Sequence, residues 1–92
     1  MILESEIQSF TIKLLESKGW LVVKIIQTSK NGWPDLQAIK NGITIYIECK
    51  RQGEQPAKLQ MSRHEQIEKA GAKVFIIDSK ENAIKIISKH AL

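Results

Sequence analysis

Three residues near the middle of the chain are of the right types to do chemistry together: Asp35, Glu48 and Lys50. Between them lies Asn41-Gly42, the pair favoured in a two-residue type I′ hairpin turn, where both positions take positive φ. Such a turn predicts a hairpin of residues 35–40 and 43–50, with Lys40 opposite Ile43, Ala38 opposite Ile45, Leu36 opposite Ile47 and Asp35 opposite Glu48. Two carboxylates facing each other at about 5 Å repel, so the pairing needs a reward. A divalent cation supplies one: Mg²⁺ takes hard oxygen ligands, is commonly held by one or two carboxylates, and leaves its other positions to water and a phosphate oxygen. Lys50 lies two residues beyond Glu48 and so projects on the same face, about 6 to 7 Å along the strand. The trio suits metal-assisted phosphodiester hydrolysis, in which the ion activates water and neutralises charge on the phosphorus centre while the ammonium stabilises that same charge. Gly32-Trp33-Pro34 fits ahead of Asp35: Gly allows a sharp approach, and Pro fixes φ at a strand start that needs no ladder donor.

The elements that must position these residues follow from periodicity. Leu3, Ile7, Phe10 and Leu14 recur at helical spacing and Gly19 supplies a stop, which predicts an amphipathic helix over 3–18. Residues 20–26, WLVVKII, read as a strand and residues 28–32 as a polar loop. Alternation in the hairpin places Leu36, Ala38, Ile43, Ile45, Ile47 and Cys49 on a core face, and Asp35, Gln37, Ile39, Thr44, Tyr46, Glu48 and Lys50 on the other. Residues 51–58, with Gly53 and Pro56, form a loop, and 59–70 a helix with a thin apolar stripe ending at Gly71. Residues 73–77, KVFII, form a nearly continuous apolar strand, a pattern that implies burial on both faces. Ser79 can cap a last helix reaching about Lys89, although AIKIIS would also suit a strand. The order α-β-β-β-α-β-α gives an α/β fold: a four-stranded mixed sheet flanked by helices, the last strand arriving by a helical crossover.

Composition bounds the rest. Ninety-two residues of 10.4 kDa make a single domain over 1–92, and a chain this short buries only roughly 60% of its unfolded surface, so a partner subunit would add stability. Apolar residues at 42% and charged residues at 26% are ordinary for a globular chain. One cysteine excludes an internal disulfide and a zinc cluster. No apolar run approaches the roughly 20 residues of a membrane span, and Glu4, Glu6, Lys13, Glu16 and Lys18 are unlike a signal peptide, so a soluble cytoplasmic protein without membrane contact is expected. A net charge of +4 and a pI near 9.3 favour polyanions without requiring them. No P-loop, dinucleotide fingerprint or zinc pattern is present, and no small-molecule cofactor is expected.

The pattern Glu4-x-x-Ile7-Gln8, Gly32-x-Pro34-Asp35, Glu48-x-Lys50 and Gln60, eleven residues before Gly71, resembles the VRR-NUC (virus-type replication-repair nuclease) branch of the PD-(D/E)XK nuclease superfamily, over nearly the whole chain. The resemblance implies a restriction-endonuclease-like fold and a Mg²⁺-dependent DNA endonuclease, Mn²⁺ substituting. Asp35 and Glu48 would be its metal ligands, Lys50 its catalytic lysine and Glu4 the helical acid completing the site. It also implies a role for Gln60 near the catalytic Lys or the scissile phosphate, and a backbone contact for Lys24. Small stand-alone members occur in bacteriophages, where the cytoplasm would be the host cell's, and some dimerise and cut four-way junctions. Glu6 flanks the apolar stripe at a similar angle, and only the spacing to Ile7 and Gln8 favours Glu4.

Each of these residues also has a plain reading. Asp35 suits a strand approach, Glu48 and Lys50 a solvated strand face, and Glu4 and Glu6 a helix N-terminus. Lys24, Lys30, Arg51, Lys58, Arg63 and Lys69 are a candidate phosphate track or simply charge scattered for solubility. His64 near Ser62 lacks the elbow and partner acid of a serine hydrolase, His90 suits a helix end, and Cys49 reads as a small buried apolar residue. Trp20 reads as core, whereas Trp33 in the motif loop reads as loop packing, a base-stacking group or a dimer contact. A homodimer is expected because a 92-residue monomer offers little surface to a duplex. The rival reading is a non-catalytic nucleic-acid-binding module of the same fold.

Overall fold

The structure, a computed structural model, describes residues 2–92. Helix α1 spans Glu4–Ser17, strand β1 Leu21–Lys24, β2 Leu36–Lys40, β3 Ile43–Cys49, helix α2 Lys58–Lys69, strand β4 Lys73–Ile77 and helix α3 Lys80–Lys89. The expected order holds. The sheet runs β1-β2-β3-β4, antiparallel through the first three strands and parallel between β3 and β4, the parallel pair being joined through α2.

The hairpin turn sets the register. Asn41 and Gly42 take φ of 51° and 77°, as a type I′ turn requires, and the pairs Lys40–Ile43, Ala38–Ile45 and Leu36–Ile47 form as anticipated. Leu36, Ala38, Ile45, Ile47 and Cys49 then lie on one face, where they pack with Ile7, Leu15, Trp20, Ile77, Ala83 and Ile87 under α1 and α3. Ile43, at the turn, escapes this cover and stays exposed. The opposite face carries Asp35, Gln37, Ile39, Thr44, Tyr46 and Glu48; α2 packs on β4 and screens only that side of it.

Three local readings need correcting. The buried stripe of α1 is Ile7, Thr11 and Leu15, with Phe10 and Leu14 only flanking and Leu3 exposed at the N-cap. Thr11 can sit inside because its hydroxyl donates to the Ile7 carbonyl at 2.8 Å, so nothing polar is left unmet. Trp20 belongs to the end of α1, its N–H returning to the Leu15 carbonyl, and regular pairing in β1 stops at Lys24, leaving Ile26 exposed. Strand β4 is not buried on both faces: it is an edge strand bonded only to β3, and Ile76 is 41% exposed. Residues 84–88 are helical, Ser79 accepting from the Asn82 N–H at 2.9 Å as the cap of α3.

Candidate nuclease site

Asp35 reaches its place through a loop that only glycine permits. Gly32 has φ of 78°, and a Cβ there would lie 2.9 Å from the Leu59 carbonyl oxygen, so any side chain would push the loop off the start of α2. Arg63 holds the same loop, its Nε donating to the Asn31 carbonyl at 3.0 Å. Pro34 is buried beyond it, and Asp35 follows immediately before β2. The Asp35 carboxylate accepts the Cys49 N–H at 2.8 Å, which binds the end of β2 to the end of β3 and sets Asp35 across from Glu48.

Glu48 is the unusual residue of the pair, with 1% exposure on a strand face that its own sequence would leave in water. Helix α2 covers it. Gln60 Nε2 donates to Glu48 Oε2 at 3.2 Å, and one turn later His64 Nε2 stands 3.6 Å from Oε1. Gln60 is itself held by its Oε1, which accepts the Ala57 N–H at 2.9 Å. The Lys50 ammonium stands 3.7 Å from Glu48 Oε2 and is largely screened from solvent. Burial pushes the Glu48 carboxyl up to about 8; the charge of Asp35 and a hydrogen bond with it add to this, Glu4 adds a little more, and Lys50 opposes. Burial also lowers the His64 imidazole, which is therefore neutral at pH 7. Cys49 points the other way, and burial together with the charges of Asp35, Glu48 and Glu4 pushes its thiol up to about 12, which leaves it an inert core residue.

This pair fits a hard dication. Glu48 Oε1 is buried without a hydrogen-bond partner, and the facing Asp35 carboxylate adds a second set of oxygen donors. Two carboxylates are the number Mg²⁺ commonly takes from protein. Among the described residues no three His, Cys, Asp or Glu side chains are gathered to cage an ion. Glu4, half-buried at the start of α1, acts on Glu48 and Cys49 through its charge, whereas Glu6 is exposed and lines a separate shallow cavity with Phe10 and Lys80.

The basic residues divide. Lys24 and Lys30 line one cavity beside the site, together with Trp33 and Tyr46. Arg51 lies exposed after β3 and pairs with Glu54, and Lys58 is exposed at the start of α2. Arg63 is occupied by Asn31 and by the Gln66 side chain at 2.7 Å. Sequence reasoning set His64 aside by testing it against Ser62. The useful signal was its place four residues after Gln60, which puts both side chains on one helical face toward Glu48.

A four-stranded mixed sheet of this order, with acids opposed at the ends of its central hairpin and a lysine two residues on, defines the restriction-endonuclease-like nucleases. Residues 5–89 match the archaeal Holliday junction resolvase family (Hjc), and the chain belongs to that family. A solved VRR_NUC domain superposes with a TM-score of 0.85 at 28% identity, covering 97% of each chain. The protein "Putative nuclease p44" of Acyrthosiphon pisum secondary endosymbiont phage 1 is 30% identical over 82 residues, 88% of either chain. The chain is thus a nuclease of the VRR-NUC type. No helix among the described residues is long and apolar enough to cross a membrane.

Proposed function

We propose that the chain, as one domain over 1–92, is a Mg²⁺-dependent endodeoxyribonuclease for branched DNA, four-way junctions included, with Mn²⁺ able to substitute. The observation that carries this reading is the buried Glu48 carboxylate facing Asp35, with one oxygen unmet and Lys50 alongside. Asp35 and Glu48 would hold the ion, with Glu4 as the helical acid completing the site. When bound, the ion supplies an acidified water and positive charge at the scissile phosphate. Lys50 contacts a phosphate oxygen and stabilises charge as it builds there. Gln60 restrains Glu48 Oε2 through its hydrogen bond so that the carboxylate keeps its aim, and His64 packs beside the unmet Oε1. Lys24, Lys30, Arg51 and Lys58 meet neighbouring phosphates, while Arg63 serves DNA binding indirectly by holding the loop before Asp35. A homodimer would present two such sites to opposed strands, and the junction preference draws support from the family. Likeness to a phage protein makes a host-cell cytoplasm the natural setting.

The test is cleavage of plasmid and of a synthetic four-way junction in Mg²⁺, Mn²⁺ or EDTA. Metal-dependent cutting that falls at least 100-fold in Asp35→Asn, Glu48→Gln and Lys50→Ala is the expected result. Cutting that survives in all three overturns the site, and binding without cutting selects the non-catalytic nucleic-acid module.

A further inference from the structure

Beside the carboxylate pair lies a cavity of about 670 Å³, large enough for an organic ligand of nucleotide size. Its lining includes two aromatic rings, two amides and two lysines. Trp33 and Tyr46 meet edge to face, with ring centroids 5.7 Å apart and planes at 83°, so that two differently oriented ring surfaces bound one space. Gln37 offers a donor and an acceptor, and Lys30 supplies positive charge. The cavity is not isolated from the site. A second one of about 390 Å³ shares Lys30 and Trp33 with it and extends to Asp35.

Strand geometry ties the two together. Gln37 pairs with Tyr46, and both lie two residues along their strands from Asp35 and Glu48, hence on the same face and one rung away. Two residues of strand measure about 7 Å, a distance one nucleotide can bridge. Aromatic faces that stack a base, an amide that meets its edge and a lysine for its phosphate are the recurring parts of sites for unpaired nucleic acid. A duplex cannot use them, because its bases are already stacked and paired.

We propose that the cavity bounded by Trp33, Tyr46, Gln37, Lys24 and Lys30 receives one unpaired DNA nucleotide adjacent to the phosphate held at Asp35 and Glu48. This rests on the nuclease reading above and narrows its substrate to DNA with an unpaired base beside the cut. Trp33 is the stacking platform. Its position in the loop that delivers Asp35 couples the two events: the strand that seats its base on Trp33 brings the next phosphate to the carboxylates.

The proposal is tested in EDTA, where binding is read without cutting. Oligonucleotides carry 2-aminopurine either at a single unpaired position or within a fully paired duplex of the same length, and affinity and fluorescence are followed. The wild-type protein is expected to bind the unpaired form about tenfold more tightly and to quench its fluorescence. Trp33→Phe keeps both effects, and Trp33→Leu brings the affinity ratio close to one. Lys30→Ala, at an exposed loop position that cannot unfold the chain, lowers affinity for the unpaired form severalfold. A free deoxynucleoside monophosphate, tested as competitor, is expected to displace the probe only at far higher concentration, because it lacks the adjoining phosphates. Equal affinity of the wild type for paired and unpaired DNA overturns the proposal, as does a folded Trp33→Leu variant that retains the preference. Metal-dependent cutting without that preference would defeat the pocket alone. A preference without any cutting would defeat the nuclease reading alone.

Discussion

Glu48 ties stability to pH in a direction opposite to that of most acidic residues. In the folded chain its carboxyl keeps a proton up to about pH 8, whereas an unfolded glutamate releases it near 4.5. Between those values the folded state binds more protons than the unfolded state, so stability falls as pH rises. Glu48→Gln has no such proton to lose. In EDTA it should exceed the wild type in stability by on the order of 3 kcal/mol at pH 8 to 9 and match it near pH 4, which urea unfolding across that range would measure. A gap that stays constant from pH 4 to 9 would refute the assignment. Protons and the dication compete for the same carboxylate, so raising Mg²⁺ should move the rising limb of the cleavage profile toward lower pH. The contacts of α2 make a separate prediction. Replacing Gln60 by Leu should weaken Mn²⁺ binding by about 10- to 100-fold in calorimetry, because Glu48 Oε2 loses its hydrogen bond; unchanged affinity would mean that Gln60 only fills space. Asp35, Glu48 and Lys50 were legible because one turn fixed their register. The burial of Glu48 was not, since alternation along a strand reports which face a residue occupies and says nothing of what will later cover that face.

The three helices close in the same way, and one of them does so at a cost. Trp20 N–H returns to the Leu15 carbonyl, Ala72 N–H to Ile67 and Leu92 N–H to Ile87, each spanning a residue of positive φ. Gly19 and Gly71 fill that position in α1 and α2, but α3 uses Ala91 at φ of 53°. A Cβ in the left-handed region costs about 1 to 2 kcal/mol, and glycine gives back part of that through its freedom in the unfolded chain. Ala91→Gly should therefore stabilise the protein by about 0.5 to 1 kcal/mol, readable as a higher denaturation midpoint with an unchanged slope, and a lower midpoint would contradict the cap geometry. These endings show where elements could be located from sequence: Gly19, Asn41-Gly42, Gly71 and Ser79 are local signals, and each marks its boundary to within a residue or two. The errors fall where a boundary or a buried side depends on partners distant in the chain. Thr11 passes for a polar residue until its bond to Ile7 is seen, and β4 passes for a central strand until its pairing with β3 alone is known.

At the scale of the molecule the sheet is covered unequally. Its radius of gyration, 12.4 Å, is that of a compact chain of this length, about 12 Å. Yet α1 and α3 occupy one face, and α2 covers only the β4 side of the other. What remains uncovered around β1 and β2 is apolar: Leu21 is 66% exposed, Val23 48% and Ile39 37%. Leu21 pairs with Ile39 at the end of the sheet away from the carboxylates, where a partner could sit without blocking the cavity at Lys24 and Trp33. A standard interface removes about 800 Å² from each partner, roughly one-seventh of the 5923 Å² this chain exposes, and contiguous apolar surface of that kind is seldom left to water. If two copies join there, scattering and sedimentation should report about twice 10.4 kDa, and Leu21→Lys should return the mass to that of one chain with the fold intact by circular dichroism. The monomer so made keeps both carboxylates and Lys50, so it should still nick single strands while losing paired cuts on opposed strands of a junction. A wild-type protein that stays monomeric at 100 μM, or a Leu21→Lys variant that still makes paired cuts, would place strand pairing elsewhere than in this face.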